Sequence, residues 1–153
     1  MKRATITETK NSLSRLLDEV RRGETILVEE ESTAGRQRIL DADSVIVTWW
    51  ATRVECASAL GRLRREGSLD EAGFGAALRR LTTHAASWAE VEPSAAVRRT
   101  ALRLLRVHPI RAADALQLAA ALAAAHGDPS TLAFVSGDAR LSAAVDIEGF
   151  PVT

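Results

Sequence analysis

Short apolar, often β-branched runs alternate along this chain with stretches of helical periodicity, and that alternation limits the folds open to it. Ser44–Thr48 (S-V-I-V-T), Trp88–Val91 (W-A-E-V) and Leu132–Ser136 (L-A-F-V-S) have the length and low polarity of strands buried in a parallel sheet. Helices are expected from Thr52 to about Arg65, with Cys56, Ala59, Leu60 and Leu63 on one face, and from about Asp70 to Ala86. Three more are expected from Pro93-Ser94 to about Val107, from Arg111 to His126 and from Ala139 to Val145. Strands joined through helices of that length need crossover connections, so the fold class is α/β: a parallel sheet with helices on both faces. Phe150–Val152 is expected to add a terminal strand.

The beginning of the chain reads differently. Lys2–Ile6 is a candidate short strand, Thr7 a candidate N-cap, and Leu13, Leu16, Leu17 and Val20 follow at helical spacing up to Gly23. Thr25–Val28 reads as a second strand, so a short strand–helix–strand segment precedes the larger α/β pattern. The acidic run Glu29-Glu30-Glu31 then leads to a helix from about Ala34 to Leu40. Two units are expected, residues 1–28 and 29–153.

Bulk composition excludes some classes of function. With 20 basic and 20 acidic residues the formal net charge is zero, so binding to nucleic acid has to rest on a local basic patch. The single cysteine, Cys56, cannot form an internal disulfide and suits a reducing compartment. Neither a signal peptide nor a membrane span is evident, so a cytoplasmic protein is expected. His84, His108 and His126 lack the spacing of metal ligands.

Three acids stand out. Asp114 lies in R-A-A-D-A-L-Q-L-A-A-A-L, a helix so apolar that the carboxylate is expected to be buried and in need of a cation, a hydrogen-bond network or a proton. The structural alternative is an acid favoured in a first helical turn. Asp138 follows an apolar strand directly, at the end of the strand where open parallel sheets place their ligand crevice, or else it caps the next helix. Glu55 opens a helix just after a strand, and Thr52-Arg53-Val54-Glu55 also matches a capping box. Together the three would make an all-oxygen site for a hard divalent cation, Mg2+ or Mn2+, able to activate water toward a phosphodiester.

From about residue 27 to 153 the chain resembles the PIN-domain toxins of VapC type. The motifs V-E-E-E-S, V-T-W-W-A-T-R-V-E-C-A-S-A-L, R-A-A-D-A-L-Q-L-A-A-A-L and F-V-S-G-D-A-R-L carry the resemblance, in that order. It implies a PIN-like fold and Mg2+-dependent endoribonuclease activity on RNA of the tRNA or rRNA class, restrained by a cognate antitoxin. Glu55, Asp114 and Asp138 match its metal-binding and catalytic acids, and Ser136 matches the hydroxyl residue that orients them. The family's first strand, ending in a metal-binding aspartate, has no counterpart in the sequence, and activity is expected to be impaired. Asp18 or Glu19 would fall in its place by spacing, or they are solvated acids of an amphipathic helix.

Residues 1–28 resemble instead the start of a Phd/YefM-type antitoxin, carried by I-T-E-T-K-N-S-L-S-R-L-L-D-E-V-R-R-G-E-T-I-L-V. That resemblance implies operator-DNA binding and dimerisation, with Lys10 toward DNA. The chain thus reads as a junction of antitoxin and toxin sequences. Three functions follow: an impaired ribonuclease, a DNA-binding autoregulator using Lys2, Arg3, Lys10 and Arg15, or a catalytically silent PIN module that binds an antitoxin. A homodimer is expected. Arg62, Arg64, Arg65, Arg79 and Arg80 would line an RNA groove or simply face solvent.

Overall fold

A computed structural model of the protein describes residues 3–6 and 46–152. The elements expected between Thr7 and Leu40, the division near residue 28, and Lys10, Arg15, Asp18 and Glu19 lie outside those residues. Strands β1 (Arg3–Ile6), β2 (Ile46–Trp49), β3 (Trp88–Val91) and β4 (Leu132–Val135) form one parallel sheet in the order β3-β2-β1-β4. Arg3 aligns with Leu132 and Ile6 with Val135, while Ala4 aligns with Ile46 on the other side.

This arrangement corrects one expectation. From sequence, the strand at Lys2–Ile6 belongs to a segment ahead of a sheet that lacks its first strand. Arg3–Ile6 instead lies inside the sheet, paired with β2 and β4.

Helix boundaries follow local chemistry. Helix α1 (Thr52–Arg65) leaves the end of β2 through the Trp50-Ala51 turn, where the Trp50 amide donates to the Val91 carbonyl at 3.1 Å. Helix α2 (Glu71–Ala85) starts where the Asp70 carboxylate accepts the Gly73 amide at 2.7 Å. Helix α3 (Ala95–Val107) is capped in the same way by Ser94, whose hydroxyl accepts the Val97 amide at 3.1 Å. Helices α4 (Ala112–Ala124) and α5 (Ala139–Ile147) complete the described set.

The alternation of the strands sorts the helices onto two faces. Val47 and Trp49 pack in the main core with Val97, Ala101 and Leu104 of α3, Leu118 of α4 and Leu141 of α5. Trp88 stands in register with Ile46, hence on the face opposite Val47, and packs with Cys56, Leu60 and Ala77 of α1 and α2. Phe134 is fully buried and meets Phe150 edge-on, with ring centroids 5.8 Å apart.

The terminal strand expected at Phe150–Val152 reduces to a single bridge, Phe134 to Val152. Pro151 explains it: its carbonyl accepts the Phe134 amide at 2.9 Å, but proline has no N–H to return. No helix among the described residues is long and apolar enough to cross a membrane.

Candidate functional site

In the order β3-β2-β1-β4, chain direction across the sheet reverses at β1, so the carboxyl ends of β1 and β4 flank the place where such sheets open a crevice. Beyond β4 come Ser136, Gly137 and Asp138. Ser136 is buried, and its hydroxyl accepts the Asp138 amide at 3.1 Å. One oxygen of Asp138 accepts the amides of Arg140 at 2.8 Å and Leu141 at 3.0 Å, so this acid is the N-cap of α5. The Leu141 amide does most to hold its carboxyl below the usual range, with help from the Arg140 amide and the charges of Arg140 and Arg111 against a desolvation penalty. Asp138 is exposed, just beyond the carboxyl end of β4.

Glu55 does not close the expected capping box. The N-cap of α1 is Ala51, so Glu55 falls one position beyond the place from which a box glutamate reaches back. Thr52 is fully buried, and its hydroxyl has no hydrogen-bond partner among the described residues. The Glu55 carboxylate instead accepts a 2.6 Å hydrogen bond from the Gln117 amide nitrogen, joining α1 to α4. Gln117 is buried in an alanine-rich helix, and its amide oxygen has no partner among the described residues.

Asp114 also differs from expectation. It is half-buried rather than buried, because it sits in the first turn of α4, ahead of the unbroken buried run that begins at Gln117. It occupies the third position of α4, and its carboxylate accepts the Arg111 amide at 3.2 Å, the helix-start role weighed as its structural alternative. Asp114 and Gln117 are three residues apart, on the same side of α4.

The opening turns of α4 therefore tie the three motifs together. Gln117 reaches Glu55, Asp114 caps the helix start, and the charge of Arg111 acts on Asp138. In donor chemistry the acids suit a hard cation, since all are oxygen ligands held by neutral N–H groups. In position they do not: among the described residues no three acids, histidines or cysteines come together to hold a metal ion.

Sequence reasoning passed over Gln117 and Arg111. The lone amide in an alanine-rich helix was the available signal, because a buried amide needs partners. Two other groups resolve into structural roles. His108 is buried, and its ring meets Glu148 at 2.8 Å, with Arg103 on the same carboxylate at 2.7 Å. Of the arginines proposed for an RNA groove, Arg62 pairs with Glu66, and Arg64 pairs with Glu71 and lies 4.4 Å over the Phe74 ring.

No family model and no curated protein matches the chain.

Proposed function

We propose that the protein is a PIN-type member of a toxin–antitoxin system, a divalent-metal-dependent endoribonuclease of impaired activity that acts on RNA of the tRNA or rRNA class. One observation supports this above the rest: the start of α4 is linked to all three acidic motifs, since Gln117 bonds Glu55, Asp114 caps the helix and the charge of Arg111 acts on Asp138. Bound there, Mg2+ or Mn2+ would lower the pKa of water and offset charge on a phosphodiester. Within the chain, Gln117 fixes one oxygen of Glu55, the α5 amides keep Asp138 ionised, and buried Ser136 fixes the loop that presents it.

Activity is proposed as impaired because the sequence has no counterpart of the family's first-strand aspartate; that no three acids, histidines or cysteines group to hold a metal among the described residues favours a second reading. In that reading the same fold is catalytically silent and acts by holding a cognate antitoxin. Calorimetric titration with Mn2+, beside an Asp114→Ala variant and an assay on total tRNA, separates the two. The nuclease reading expects weak saturable metal binding and slow metal-dependent cleavage, both lost in Asp114→Ala. Absence of both from the unmodified protein, with an antitoxin still bound, establishes the silent module.

A further inference from the structure

Helix α3 turns one face to the core through Val97, Ala101 and Leu104. Its other face carries Arg98, Arg99, Leu102, Leu105 and Arg106, whose spacing places them on a single stripe. Leu102 is 58% and Leu105 40% exposed, and the three arginines around them are exposed as well. The helix has four arginines and no acid. Glu148 neutralises only Arg103, and no carboxylate lies within ion-pair distance of Arg98, Arg99 or Arg106 among the described residues.

A single exposed leucine is ordinary; two on one stripe among unneutralised guanidinium groups form a surface with a defined complement. We propose that the outer face of α3 docks an acidic amphipathic helix of a partner protein. Leu102 and Leu105 receive its apolar stripe, and Arg98, Arg99 and Arg106 pair with carboxylates on its flanks. Charge decides against the other occupants. A second copy presenting the same face across a twofold axis sets arginine against arginine. A nucleic-acid strand satisfies the arginines but leaves both leucines against phosphate, and α3 has no aromatic ring on which a base could stack. The inference stands on this surface alone and is independent of the nuclease reading.

The test is fluorescence anisotropy of a labelled synthetic helical peptide, with leucines at i, i+3, i+4 and i+7 and glutamates on both flanks, titrated with the full chain. Saturable, salt-sensitive binding is expected, weakened about tenfold or more by Leu102→Ser/Leu105→Ser and separately by Arg98→Ala/Arg99→Ala/Arg106→Ala. Both variants should keep the parent unfolding midpoint, since every altered side chain is exposed. Absence of saturation at millimolar peptide overturns the proposal, as does binding indifferent to the leucines. A single-stranded RNA oligonucleotide that displaces the peptide and depends on the arginines alone also overturns it. So does a dimer, seen by sedimentation, that the leucine variant dissolves.

Discussion

At Gln117 one buried amide nitrogen donates to a carboxylate on another helix, while its amide oxygen has no partner among the described residues. Replacing it by leucine removes a short, charge-assisted bond but also removes that orphaned oxygen, so the two effects partly offset. Gln117→Leu is expected to lose about 1–2 kcal/mol in urea unfolding, and Gln117→Glu to lose more by setting carboxylate against carboxylate. The Glu148 cluster offers a pH signature. Arg103, and then His108, hold the Glu148 carboxyl below its ordinary range against a desolvation penalty. A depressed folded pKa means the stabilisation is complete above the unfolded value and drains as pH falls through the folded one. Asp138 behaves alike through its α5 amides. Thermal midpoints should therefore fall as pH drops below about 4. Glu148→Gln should lower the midpoint at neutral pH and flatten the acid limb.

Elements built from local signals were legible in the sequence. Trp88–Val91 falls where its apolar run stands between helical patterns, and Asp70 and Ser94 cap the helices they precede. Pairing was not legible, because register depends on residues far apart in the chain. A sequence reading sees Lys2–Ile6 only as the start of its own segment; the sheet places Arg3–Ile6 between strands from elsewhere. The candidate site divides in the same way. Asp138 as an N-cap and Asp114 as a first-turn acid were readable from spacing, whereas the Glu55–Gln117 contact spans two helices and leaves no local trace. Proline in an interior strand removes a ladder donor. Ala4→Pro is therefore expected to destabilise the whole molecule by about 3 kcal/mol or more, or to prevent folding. An unchanged midpoint for the rest of the chain would instead mean that this strand is a detached segment.

On the scale of the molecule, most of the core energy sits on one side of the sheet. Phe134, Leu118, Leu104 and Leu141 are fully buried there, while the α1–α2 side holds the smaller cluster around Leu60. Phe134→Ala, in the larger cluster and against Phe150, is expected to cost about 3–5 kcal/mol, measured by denaturant midpoint at unchanged slope. The sheet also has a timetable. β1 is made before β2 and β3, yet its partner β4 ends only at Val135. At about 5–20 residues per second, the nascent strand waits on the order of ten seconds for that neighbour to leave the ribosome. Throughout that interval one edge of β1 stands unpaired, open to any other strand it meets. Synthesis that stops short of Val135 thus yields a sheet with a permanently open edge, so the yield of folded protein depends on how quickly that stretch is translated.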